Sequence, residues 1–229
     1  MPEDNNVIIE ISLKLASLYA MQKKKLEAEE GYKFCIAMLS PKMDELELKW
    51  LSQEAKNTSV TKEDIAGKPL ETLVQDTAIL LGMSVGSYGR FLMYEKRFPE
   101  ALRFFERSKV FCKNTMGVDS NQYSVILNDL ATLYILTQNF NEANGVLSEG
   151  ITLTKKYNLP EIAVLHCNLG ALHLRKGDYK TAAKNCQLAE MYADKYSQTL
   201  AKYNAQSCLK KVEEVLQKKA KEAQEKAKK

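Results

Sequence analysis

Few side chains in this 229-residue sequence could do metal or nucleophilic chemistry, and their spacing argues against it. There are two histidines, His166 and His173, seven residues apart. Seven residues are two helical turns, so both lie on one face. No carboxylate or further histidine stands between them at metal-ligand spacing, so packing is the expected role and no metal site is predicted. The five cysteines, at 35, 112, 167, 186 and 208, are odd in number and form no CxxC pair. Unpaired thiols and a reducing compartment are the expectation, with Cys35 and Cys186 acting as small apolar residues between helices. There is no Gly-rich phosphate loop, no HExxH, no GxSxG and no nucleophile with partners in a known triad order. Acidic residues at helical three and four spacing form solvated faces rather than acid–base pairs. The expectation is a protein that is not an enzyme, with no cofactor and no small-molecule substrate.

Charge narrows the partners further. The formal net charge is +4, and residues 216–229 hold six Lys against two Glu. Removing them leaves 27 residues of each sign, so the excess belongs to the tail. The body offers no Lys/Arg stripe, and no nucleic-acid partner is expected. No run of 18 apolar residues is present to span a bilayer. The opening Met-Pro-Glu-Asp-Asn-Asn has neither a signal-peptide apolar region nor transit-peptide character.

The elements that would position any site come from a repeat. From Ala163 the chain reads Leu169, Gly170, His173, Gly177, Tyr179, Ala182, Cys186 and Ala189. Equivalent sets are Leu130, Ala131, Tyr134, Phe140, Ala143 and Leu147, then Gly89, Leu92, Phe98, Ala101, Phe105 and Ser108, and Leu15, Ala16, Tyr19, Ala28, Tyr32 and Cys35. Small residues recur where two helices must touch, and larger ones fill the gaps. This is the tetratricopeptide template, a helix pair that buries its apolar face only by stacking on neighbours. The predicted fold is all-α: a right-handed tetratricopeptide solenoid with one elongated helical hairpin and a C-terminal capping helix.

Spacing locates the hairpin. Ala16 and Gly89 hold one repeat position but lie 73 residues apart, against 42 from Gly89 to Ala131 and 39 from Ala131 to Gly170. Repeats are expected near 9–40, 82–113, 124–156 and 163–196, with a long hairpin inserted over 41–81. Helices near 41–56 and 70–94 would pair, leaving a polar tip at 57–69. Pro41 predicts a kink or break near Ser40, because proline inside a helix removes a hydrogen bond. Residues 1–196 then form the array, and 197–229 the capping helix and Lys-rich tail.

The inner groove of such an array is lined by the first helix of each pair. Its expected lining includes Leu13 and Ser17, Gly86, Arg90 and Met93, Asn128, Thr132 and Ile135, and Cys167, Ala171 and Leu174. Leu13 and Ser17 stand where chaperone-binding arrays use Lys and Asn, which argues against a chaperone clamp. Arg90 and Asn128 are candidate peptide contacts. Specificity is expected where the chain leaves its template, which makes the hairpin the main candidate surface. Trp50, the only tryptophan, and Leu46 are its candidate protein-binding residues.

Residues 3–39, EDNNVIIEISLKLASLYAMQKKKLEAEEGYKFCIAML, form a contiguous block more specific than scattered repeat positions. With Leu81-Gly82-Met83, Arg90-Phe91-Leu92, NDLATLY and LHCNLGALHLRKGDYKTAAKNCQLA, it resembles a mitochondrial tetratricopeptide repeat family that serves respiratory complex III, the nineteenth of the tetratricopeptide repeat domain series. The resemblance implies a non-enzymatic interaction factor at the mitochondrial inner membrane. It would support assembly or maintenance of complex III (ubiquinol–cytochrome c reductase), with complex III subunits including the Rieske iron–sulfur protein as partners. The family carries a transit peptide, a membrane anchor and earlier helical repeats ahead of this block. The targeting segment and anchor are missing from this sequence, which is expected to be a fragment or an alternative product. The alternative reading is a generic peptide-binding tetratricopeptide adaptor or co-chaperone.

Overall fold

The computed structural model describes residues 5–54 and 70–227, with side chains for 5–49 and 70–221. Among the described residues the regular structure is helical, with no strand. Contacts divide the chain into two compact units, Met1–Gly117 and Val118–Lys229. The first holds α1 (Asn6–Met21), α2 (Lys25–Glu54), α3 (Leu70–Tyr94) and α4 (Phe98–Thr115). The second holds α5 (Asn121–Leu136), α6 (Phe140–Tyr157), α7 (Ile162–Lys176), α8 (Tyr179–Lys195) and α9 (Thr199–Ala227). In each unit consecutive helices pack together, and the first helices of adjacent pairs also touch: α1 on α3, α5 on α7, and α7 on α9.

One turn geometry closes every pair. Lys23, Lys96, Gln138 and Gly177 each follow their repeat's small crossing residue by seven positions, and all four have left-handed backbone, φ +61°, +62°, +62° and +79°. The amide after each one donates to a carbonyl five residues back: Lys24 to Tyr19, Arg97 to Leu92, Asn139 to Tyr134 and Asp178 to His173. These bonds satisfy carbonyls that a helix end would otherwise leave open. Only one of the four positions carries glycine.

The crossings are as tight as the small residues suggest. A Cβ at Gly31 would lie 2.8 Å from the Ala16 Cβ, and one at Gly89 would lie 2.8 Å from the Phe105 ring. At Gly170 it would lie 2.5 Å from the Cys186 sulfur. Ala131 is fully buried with Ala143, Leu147, Leu165 and Leu172 in the core between α5, α6 and α7.

In the first unit an aromatic cluster joins three helices: Tyr32 on α2 packs on Tyr88 and Phe91 of α3, and Phe104 of α4 meets Tyr88 edge-on at 4.7 Å. Above it Arg97 donates to both oxygens of Glu29 at 2.9 Å and also engages Glu100, while the Tyr88 hydroxyl donates to Glu29 at 2.8 Å. Burial pushes the Glu29 carboxyl up, but hydrogen bonds from Lys33, Arg97 and Tyr88 outweigh this and hold it at about 2.

Two expectations need correction. Of the kink or break expected near Ser40, the break is absent: α2 runs from Lys25 to Glu54 with Pro41 inside it. Pro41 sits on the exposed side, while Leu39, Met43 and Leu46 are buried on either side of it. Burial of that apolar stripe offsets the missing backbone bond. The cysteines are also not all free thiols: Cys186 on α8 is bonded to Cys208 on α9, with Cα atoms 6.1 Å apart. They are 22 residues apart in sequence and meet only because α9 turns back along α8. Cys35, Cys112 and Cys167 take no part in that disulfide, the first two buried and the third half-buried.

Candidate protein-binding surface

The second unit carries a bonded polar cluster along α5 and α7. Asn168 of α7 donates through Nδ2 to the Asn128 Oδ1 of α5 at 2.7 Å, and to the Thr132 hydroxyl at 3.1 Å. Thr132 in turn donates to the backbone carbonyl of Asn128 at 2.9 Å. Two turns beyond Asn168, Arg175 donates to the Ile135 carbonyl at 3.3 Å, tying the C-terminal ends of the same two helices. All three polar side chains of the amide cluster are half-buried, so they are fixed yet reachable. An asparagine amide held through its oxygen keeps two donors on nitrogen. Such groups suit the carbonyls of an extended peptide.

Around this cluster the chemistry is quiet. Cys167 lies half-buried on α7, and burial pushes its thiol up, away from the thiolate form needed for nucleophilic attack. His166 is buried, with Nδ1 3.0 Å from Asn185 Oδ1 and its ring stacked on Tyr192. Burial is the main influence lowering its pKa, against the Asn185 bond, which raises it. His173 has Nδ1 3.3 Å from the Asp178 carboxylate beside the turn. That distance makes an ion pair only when the ring is protonated, and its geometry gives no hydrogen bond. Both histidines serve helix packing and turn structure.

The sequence-derived candidates fall in different places. Asn128 stands in the amide cluster, and Asn168, which sequence reasoning missed, holds it there. Nothing marks Asn168 in the sequence except its position one after Cys167, because the bridge spans 40 residues. Arg90 is half-buried on α3 and donates to Ser87 at 3.0 Å. Leu46 is 5% exposed and packs into the body of its own unit, so it presents no surface. The Trp50 side chain and the hairpin tip at 57–69 lie outside the described residues. Several positions mapped to the groove are in fact buried, namely Leu13, Gly86, Met93 and Ile135. Ile135 joins the core between α5, α6 and α7, and a Cβ on Gly86 would come within 3.2 Å of the Ser108 hydroxyl of α4.

Known proteins of similar sequence are tetratricopeptide repeat proteins. The chain is 32% identical over 189 residues to a Mus musculus protein named tetratricopeptide repeat protein 19, mitochondrial, covering 82% of this chain and 47% of that protein. The Homo sapiens protein of the same name is 31% identical, covering 82% and 46% respectively. Over most of its length the chain is similar to proteins named tetratricopeptide repeat protein 19. It spans about half the length of the curated relatives it matches. No protein-family model matches it. The tetratricopeptide repeat protein 19 relatives are named as mitochondrial proteins. Solved structures agree on the fold. A Podosopora anserina putative kinesin light chain with tetratricopeptide-like repeats superposes with a TM-score of 0.63 at 16% identity, covering 98% of this chain and 92% of that one. BtubC from P. vanneervenii gives 0.61 at 15% identity, covering 94% and 82%.

Proposed function

We propose that this chain is a non-enzymatic interaction factor that supports assembly or maintenance of respiratory complex III at the mitochondrial inner membrane, in connection with its Rieske iron–sulfur subunit. Similarity to the tetratricopeptide repeat protein 19 relatives and the tetratricopeptide fold support a mitochondrial protein-interaction role. The observation that carries the reading is the Asn128–Asn168–Thr132 cluster, a half-buried row of amide and hydroxyl groups on the inner face of α5 and α7. It is built to hold a peptide backbone and has no group poised for proton transfer or attack. Arg175 at its end adds a guanidinium for an acidic side chain or a terminal carboxylate.

The test is affinity capture from detergent-solubilised mitochondria with the wild-type chain and with the double variant Asn128→Ala, Asn168→Ala. Wild type should retain complex III subunits, the Rieske protein among them, and the double variant should lose most of them. Retention of chaperones through their C-terminal peptides instead, in the absence of complex III subunits, identifies a general adaptor and ends the complex III reading.

A further inference from the structure

The Asn128–Asn168–Thr132 cluster has a fixed polarity. Thr132 gives its only hydroxyl proton to the Asn128 backbone carbonyl, so its oxygen can otherwise only accept. The atom that meets it must therefore be the Asn168 nitrogen, whose other N–H goes to the Asn128 Oδ1. Both amides are oriented by this, with one atom of each left over: Asn128 Nδ2, a donor, and Asn168 Oδ1, an acceptor. Neither atom has a hydrogen-bond partner among the described residues, and neither is sealed from solvent. A donor beside an acceptor is the complement of one extended peptide residue, whose C=O accepts and whose N–H donates on the same edge.

A second rung lies seven residues further along both helices, where Arg175 reaches the Ile135 carbonyl. Seven residues are two turns, about 10 Å, so Arg175 lies on the same face as Asn168. Ala171 stands between them on that row and offers only a methyl group. Arg175 is exposed and has no carboxylate partner among the described residues. Side chains of an extended peptide project across the direction of its backbone hydrogen bonds, so a residue beside the clamped one can reach along α7. Capture of a chain end uses a nest of backbone donors, whereas one exposed guanidinium suits a carboxylate side chain on a chain that continues past it.

We propose that the cluster clamps the backbone of a single residue and that Arg175 selects a glutamate or aspartate next to it, which makes the partner segment extended and acidic. This chemistry rests on the cluster being the partner-binding surface, and it names what that surface reads.

The probes are two fluorescein-labelled pentapeptides, Thr-Val-Glu-Val-Thr and Thr-Val-Gln-Val-Thr, both amidated at the C-terminus. Each is titrated with the full chain and binding is read by anisotropy. Wild type should bind the glutamate peptide saturably and at least about threefold more tightly than the glutamine peptide, the scale of an exposed ion pair. Arg175→Gln keeps a donor for the Ile135 carbonyl and should bind the two peptides equally. Asn128→Asp keeps the oxygen that Asn168 bonds but turns the free donor into an acceptor. It should weaken both peptides, the uncharged one included, by about tenfold. In NMR spectra of the wild type the Asn128 side-chain amide pair should shift with the same saturation.

The proposal is overturned if neither peptide binds saturably, if wild type does not prefer glutamate, or if Asn128→Asp binds the glutamine peptide undiminished. It is also overturned if the glutamine peptide with a free C-terminal carboxylate matches the glutamate peptide, since Arg175 then reads a chain end. Capture of complex III subunits is scored apart. Capture lost in the Asn128→Ala, Asn168→Ala variant, with no peptide binding by wild type, leaves the surface standing and refutes this chemistry. Peptide binding as described, with no complex III capture by wild type, supports this chemistry and refutes only the complex III reading.

Discussion

Gly170 and Cys186 touch so closely that no side chain fits between them. A Cβ on Gly170 would stand 2.5 Å from the Cys186 sulfur and 3.2 Å from the Ala182 carbonyl oxygen, and the latter is backbone that cannot swing aside. Gly170→Ala should therefore destabilise the second unit by about 1–3 kcal/mol, and Gly170→Leu by more, as overpacking does. Gly145, in the exposed middle of α6, has nothing within 4 Å of its Cβ position. Gly145→Ala should stabilise by about 0.5–1 kcal/mol, since alanine loses less backbone freedom on forming helix. Urea titrations of the two alanine variants should shift in opposite directions.

Glu29 should make the first unit acid-sensitive. Its carboxyl is held at about 2, below the ordinary 4.5, so the unfolded chain takes up a proton at a pH where the folded one does not. The resulting stability is complete above about 4.5 and is lost as pH falls toward about 2. Glu29→Gln should flatten that part of the stability–pH curve. Arg97→Ala should cost about 1 kcal/mol near neutrality, a hydrogen-bonded charge pair discounted for its partial exposure to water. Denaturant midpoints measured across the acid range decide both.

In the second unit the titrating group is His166. Burial lowers its pKa from 6.5, so below that value the unfolded state binds a proton that the folded state resists. Stability of the second unit should fall as pH drops below about 6.5, the opposite of a histidine held by a carboxylate. His166→Gln should remove this slope. An imidazole resonance that still titrates at the ordinary histidine value by NMR would contradict the burial described for this ring.

Asn168 should matter for peptide recognition more than for folding. Asn168→Leu keeps the bulk but removes the bridge to Asn128 and Thr132. Leaving half-buried partners unbonded should cost about 1 kcal/mol of stability. Loss of complex III subunits in affinity capture should be much larger than that cost explains. Equal capture by wild type and variant would remove the amide cluster from the binding surface.

Residue spacing by itself determined the helical class, the small crossing residues and the long helices flanking the departure from the template. These features are legible because each depends on neighbours three, four or seven positions away along one helix. Gly170 announced its crossing by its size. The left-handed turns were only partly readable, since Lys23, Lys96 and Gln138 adopt the conformation that Gly177 alone advertises. There the paired backbone bonds and the packed helices on either side outweigh a local cost of about 1–2 kcal/mol. What only the tertiary structure decided lies further apart in the chain. It joined Cys186 to Cys208, brought Asn168 to Asn128, carried α2 through Pro41, and turned Leu46 inward. Each of these depends on which helix covers which face. A repeat pattern gives every helix the same apolar stripe, and only the stacking determines which stripes are covered.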